Sequence, residues 1–153
     1  MGKEDKKAKA IPAEKRFRKK RATLNYPDHQ FKPEDILHFI ELKQFTKRWK
    51  DLELDDEGDL FALQLSIMAN PKGAPVIEGT SGLRKMRFAP SRWNCGKSGA
   101  ARVLYVLFEE FGVVLLALIY GKGEIDSISR AVKKHLNRLI IEIERELKRR
   151  KRL

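Results

Sequence analysis

The chain has a single cysteine, Cys95, which leaves no internal disulfide and no thiolate metal cluster to build on. Its longest apolar run, residues 113–120, is far too short to cross a bilayer. The charged N-terminus lacks the apolar stretch of a secretory signal. The histidines, His29, His38 and His135, are far apart and lack metal-ligand spacing. No pair of acids is placed as a metal-dependent nuclease would need. These absences point to a cytoplasmic protein with no metal, no cofactor and no membrane partner. One further scarcity is local: from Gly79 to Phe108 there is no Asp or Glu at all.

What the chain has in excess is positive charge. Its 153 residues carry 33 Lys and Arg against 21 Asp and Glu, a formal net charge of +12 that favours a polyanionic partner. Residues 1–35 are rich in Lys and Arg and show no hydrophobic period, so they read as a basic, solvated arm. The alternatives for that arm are an RNA- or ribosome-docking segment and a dispensable leader. Residues 36–153 then form the globular domain, extended by a basic C-terminal helix.

The apolar pattern of that domain predicts an α+β fold in the order β-α-α-β-β-β-α. A short strand at 36–42 is followed by a helix at 45–52, with Phe45, Trp49 and Leu52 on one side. Asp55 and Asp56 mark the N-cap region of a second helix that ends near Ala69, before Asn70-Pro71. Three strands come next, at 83–88, 102–108 and 113–120, with residues 109–112 as a hairpin connection. The last strand is continuously apolar, which places it at the centre of a small antiparallel sheet, covered on both faces. A long final helix carries Ile128, Ala131, Val132, His135, Leu136, Leu139, Ile140, Ile143 and Leu147 at three- and four-residue steps. Asp126, Ser127 and Ser129 offer N-cap oxygens ahead of it, and His135 is expected to pack on its apolar stripe.

The acid-free stretch holds six cations: Arg84, Lys85, Arg87, Arg92, Lys97 and Arg102. Side chains of a strand repeat every two residues, so Lys85 and Arg87 share a face and Arg84 takes the other. If the strand bearing Arg102 pairs alongside, its cation joins them over one patch suited to phosphates. A merely solubilising strand face is the plain alternative, and the lack of balancing carboxylates counts against it. A lysine crowded by cations gives up its proton more readily, so it can act as a base on a ribose 2′-hydroxyl. Neighbouring arginines would stabilise the charge that builds on the attacked phosphate.

The loop 89–101 sets Arg92 beside Trp93 in a Gly- and Ser-containing segment. Trp93 either stacks a splayed base or folds back onto the core. Gly96-Lys97-Ser98 imitates a phosphate-binding loop, but Ser91 stands where the pattern needs Gly, and a strand comes after it where a helix is needed. Cys95 has no cysteine partner, and a Cys–His dyad remains only a minor alternative.

Three segments resemble motifs of the RelE/ParE toxin superfamily, and most closely its HigB-like branch. Gly79-Thr80-Ser81-Gly82-Leu83-Arg84-Lys85-Met86-Arg87 resembles a GTGGLRK-apolar-R motif. Gly96-Lys97-Ser98-Gly99-Ala100-Ala101-Arg102-Val103-Leu104-Tyr105 resembles GKRGGxRVIYY. Residues 115–124, with Ile119-Tyr120-Gly121-Lys122-Gly123-Glu124, resemble LLxxYxKNE. Phe39-Ile40-Glu41 and Asn70-Pro71 also fit, and the likeness covers about residues 36–140.

The resemblance implies a RelE-like fold and an endoribonuclease that cuts mRNA, usually in the ribosomal A site, leaving a 2′,3′-cyclic phosphate. It implies a cognate antitoxin, usually a helix-turn-helix protein, through which alone the toxin reaches operator DNA. Matched residue by residue, Lys85, Arg87 and Arg102 fall at basic catalytic positions, and Lys122 lies in the last motif. Arg84 and Lys97 are the implied RNA contacts; the loop reading adds Arg92 and Trp93 as RNA-binding candidates, with Tyr105 beside them. The chain departs from the pattern at Ser98, where the branch has Arg, and at Gly123, where RelE proper has a catalytic Arg. Ser129 falls about where RelE proper has a base-stacking Tyr. These departures keep two other readings open: a ParE-like toxin that inhibits DNA gyrase, and a non-catalytic RNA-binding protein.

Overall fold

The computed structural model describes residues 31–94, 96, 99–121, 123–124 and 129–151. The expected basic arm, apart from its last residues, lies outside them, as do Cys95, Lys97, Ser98, Lys122, Asp126, Ser127 and Ile128.

The observed order is β1 (His38–Glu41), α1 (Lys43–Asp51), α2 (Gly58–Ala69), β2 (Leu83–Phe88), β3 (Ala101–Phe108), β4 (Val113–Tyr120) and α3 (Arg130–Lys151). This is the β-α-α-β-β-β-α order that the apolar pattern predicts, in an α+β architecture. The strands form one four-stranded sheet in the order β1-β4-β3-β2. β2–β3 and β3–β4 are antiparallel, whereas β1 runs parallel to β4. The expectation of a wholly antiparallel sheet therefore needs correcting at one edge. A parallel neighbour requires a long crossover, and the stretch from α1 to β3 supplies it.

β4 lies between β1 and β3, and seven of its eight residues are buried. Its unbroken apolar run, VVLLALIY, suits a strand with helices over both faces. On one face α1 and α2 bring Phe45, Trp49, Ala62, Leu63 and Ile67 against Phe88, Val103, Tyr105, Val114, Leu116 and Ile119. Trp49 stacks between Phe45 and Phe88, with ring centroids 5.6 and 6.0 Å away. On the other face α3 lays Leu136 and Ile140 on Leu83, Leu104, Val106, Leu115, Ala117 and Tyr120.

The buried seam of α3 is narrower than the sequence stripe. Leu136 and Ile140 are buried and Ile143 and Leu147 pack at the margin, while Ala131, Val132 and His135 are exposed. His135 precedes the seam by one residue, about 100° around the helix, so it faces water and not the core as expected. Ser129 does cap the helix: its Oγ accepts the Val132 N–H at 3.2 Å. Asp55 caps α2 from outside the helix, its Oδ1 accepting the Glu57 and Asp59 N–H groups at 3.0 and 2.9 Å. Among the described residues, no helix is long and apolar enough to cross a membrane.

Two local features fix β4 against β3. Gly112 takes the left-handed conformation (φ 64°) that closes the β3–β4 turn. A register shift between Leu104 and Tyr105 leaves Ala117 of β4 without a partner of its own. Before the bulge, Val113, Leu115 and Ala117 face α3; after it, Leu118 and Tyr120 do. Without the bulge the alternation would turn Tyr120 toward α1 and α2.

Candidate active site

The register of β2 and β3 decides where the cations go. Arg87 lies directly opposite Arg102, and Lys85 opposite Leu104. The Lys85 N–H points out of the sheet edge, donating to the Pro75 carbonyl at 3.1 Å. Residues 83, 85 and 87 therefore make the narrow, non-hydrogen-bonded pairs with β3, whose Cα atoms approach to about 4.5 Å. Two arginines thus stand side by side on adjacent strands. Lys85 stands two residues along β2 on the same face, about 7 Å away. This is the convergence that alternation and strand pairing predict.

The face they share is the one α3 covers, and its cover runs out toward them. Along β2, Leu83 is fully buried, Lys85 half-buried and Arg87 exposed. Along β3, Leu104 is fully buried and Arg102 half-buried. The cations occupy the open end of an otherwise apolar surface. Like charges directly opposite destabilise a strand pair, and the β2 and β3 residues of this face include no carboxylate. Arg102 spends one nitrogen on the Ala100 carbonyl, at 2.6 Å. Such a donor set repels divalent metal and attracts a phosphate.

The other expected contacts are placed elsewhere. Arg84 faces α1 and α2, as predicted from alternation, and its Nη1 donates to the Lys72 and Ala74 carbonyls at 3.0 and 2.6 Å. It fastens the 72–76 segment against the edge of the sheet and does not reach the cation face. Arg92 is committed to the buried Asp59, making two bonds of 2.7 Å, and donates to the Glu53 carbonyl at 3.2 Å. Trp93 is partly buried and packs against the α1–α2 core, as the second of its two alternatives has it. Tyr105 is 1% exposed and donates its hydroxyl to the Pro71 carbonyl at 2.8 Å, so its ring has no face to offer a base. Burial raises its pKa above the usual phenol value, against the lowering effect of the Arg84 charge. Arg84, Arg92, Trp93 and Tyr105, expected at RNA from the motifs and from the loop composition, thus make their described contacts within the fold. Lys97 and Lys122 fall outside the described residues.

Tyr120 stands in the last motif, but the sequence did not show its place beside the cations. It lies directly opposite Arg102 on β4, so Arg87, Arg102 and Tyr120 form one row across three adjacent strands. Alternation alone could not have found it, because the bulge at Ala117 resets the phase. The turn after Tyr120 is held from α1. The Glu124 carboxylate accepts the Gly121 N–H and an Arg48 N–H, and Arg48 also reaches Asp51 at 3.0 Å.

The Gly121 N–H, then Arg48, hold the Glu124 carboxyl below its usual pKa of 4.5. Its contribution to stability is therefore complete above pH 4.5 and is lost as pH falls through the lower folded value. Glu124→Gln should flatten the acid limb of the melting-temperature profile below that pH and leave the neutral region little changed. An acid limb identical to that of the unsubstituted chain would contradict the clamp.

No protein-family model matches the chain. Among solved structures, it is similar to a double mutant of the E. coli toxin RelE in the free state, with 18% identity over 58% of this chain and 85% of that one, at a TM-score of 0.41. It is also similar to the isolated E. coli RelE toxin, with 17% identity over 67% of this chain and 98% of that one, again at a TM-score of 0.41.

Proposed function

We propose that the chain is a toxin of the RelE/ParE superfamily, of the HigB-like branch, acting as a metal-independent endoribonuclease on mRNA at the ribosome. The observation that carries this reading is the Arg87–Arg102 pair, with Lys85 beside it, on the uncovered end of a sheet face. Two guanidinium groups a strand apart can hold the oxygens of a single phosphate, each through paired N–H donors. Lys85 takes the proton of the ribose 2′-hydroxyl, and the 2′-oxygen then attacks phosphorus. The arginines stabilise the charge gathered on the pentacoordinate phosphate. By their place in the motifs, Lys122 is a further catalytic candidate and Lys97 a further RNA contact.

The partners of this reading are mRNA, the ribosome and a cognate helix-turn-helix antitoxin, in the cytoplasm. The basic arm, residues 1–35, adds sequence-independent attraction to RNA. Expression followed by primer extension tests the reading. Discrete new mRNA ends are expected. Intact mRNA with DNA-damage signalling would favour a gyrase inhibitor, and intact mRNA without it would favour a non-catalytic RNA binder.

A further inference from the structure

α2 lacks the charges that a surface helix normally carries. From Leu60 to Pro71 there is no Asp, Glu, Lys or Arg, in a chain of which 35% is charged. Its inward side packs on the core through Ala62, Leu63 and Ile67. Phe61, Leu65 and Met68 recur at four- and three-residue steps on the opposite side. Phe61 is 61% exposed, more open than any other large apolar side chain among the described residues. Leu65 and Met68 are half-buried, and neither belongs to the two apolar clusters that flank the sheet. The outer sides of the other two helices are cationic. Lys43, Lys47 and Lys50 are exposed on α1, and Arg130, Lys134, Arg138 and Arg145 on α3. An exposed apolar stripe confined to one helix marks a docking surface.

The charges around the stripe select its occupant. Glu53, Asp55, Asp56 and Glu57 crowd its start, and all four are exposed. They repel RNA and an anionic membrane, which leaves protein. Lys72 stands just past its end, where an exposed pair with Glu109 at 2.8 Å holds it only loosely. The stripe therefore runs from acid to base, and such a surface is complementary to its own copy turned end for end. About a twofold axis between Gln64 and Leu65, Phe61 meets Met68 of the second copy, and Glu57 meets its Lys72, because the members of each pair lie equally far from the axis. A net charge of +12 drives two copies apart, and the acids beside α2 offset that repulsion locally.

We propose that α2 pairs antiparallel with α2 of a second copy, through Phe61, Leu65 and Met68, in a weak symmetric dimer. This does not depend on the ribonuclease reading. α2 covers one face of the sheet and the Arg87–Arg102 pair lies on the other, so pairing leaves the cations of both copies open. Three apolar side chains on a short helix make a small interface, and small interfaces bind weakly.

Sedimentation equilibrium of the full chain tests the dimer. The mass should rise from 17.7 kDa toward twice that value as concentration goes from about 1 to 100 µM. Phe61→Lys should stay at 17.7 kDa throughout and melt within about 2 °C of the unsubstituted chain, since Phe61 packs into neither cluster. Oxidative cross-linking in a Cys95→Ser background fixes the register. Facing Cα atoms of paired helices lie about 5 Å apart, within disulfide reach. Leu65→Cys should therefore link two chains readily. Phe61→Cys should not, because its two copies stand about 10 Å apart along the helices. A chain still monomeric at 100 µM would overturn the proposal, and so would a dimer that survives Phe61→Lys. Cross-linking no faster at residue 65 than at residue 61 would overturn the antiparallel pairing.

Discussion

Replacing Arg87 with alanine should lower mRNA cleavage by about 10²- to 10³-fold, the usual cost of losing one preorganised group that stabilises transition-state charge. Arg102→Ala should match it, and the double variant should lose much less than the product of the two, because both act on one phosphate. The fold should tolerate the first change well. Arg87 is exposed, and no ion pair or side-chain hydrogen bond is described for it. Its removal relieves a like-charge contact across a narrow strand pair, so stability should stay within about 0.5 kcal/mol or rise. Arg102→Ala also frees the Ala100 carbonyl, a further reason to take Arg87 as the cleaner probe. Full activity in both variants would show that the row is not the reacting centre.

Arg92→Ala should do the reverse, harming stability while sparing chemistry. Asp59 is 6% exposed, and its carboxylate accepts both bonds of the pair from Arg92 and one more from the Asp55 N–H. Truncating Arg92 strands a buried carboxylate at the start of α2. Stranding a fully buried charge costs about 3–5 kcal/mol. Half of the Arg92 side chain is open to water, so solvent already screens the pair and roughly 2–3 kcal/mol is expected. That is a fall in melting temperature on the order of 10 °C. Cleavage per folded molecule, measured well below the transition, should be unchanged. A stable but inactive variant would return Arg92 to the RNA-binding surface.

These two arginines show how far a sequence of this kind can be read. Arg87 was legible because strand alternation is rigid: once 83–88 forms a strand, Lys85 and Arg87 must share a face. The Arg102 pairing needed one further condition, that β3 lie next to β2. Arg92 was misread because charge on a loop has no period. Nothing in the string shows that Asp59, 33 positions earlier, lies buried within bonding distance. Tyr105 was misread for a related reason. The motif carried it, yet its alternation with Val103 already put it on the α1–α2 face.

The parallel placement of β1 and the bulge at Ala117 were invisible for a different reason. Both are properties of strand pairing, set by what the intervening chain can reach and by which register buries most apolar surface. The element order was clear, because apolar period and turn residues are local signals. His135 marks the limit of periodicity: the stripe was real, but of its described residues Ala131, Val132 and His135 lie outside the buried seam.

The account stands on two guanidinium groups from neighbouring strands gripping one phosphate while it is cut. The most direct measurement is the chemistry of the mRNA ends formed on expression, with the unsubstituted chain and Arg87→Ala compared side by side. The account predicts discrete upstream fragments ending in a 2′,3′-cyclic phosphate, strongly diminished in the variant. Fragments ending in a 3′-hydroxyl, or cyclic ends produced equally by both proteins, would contradict it.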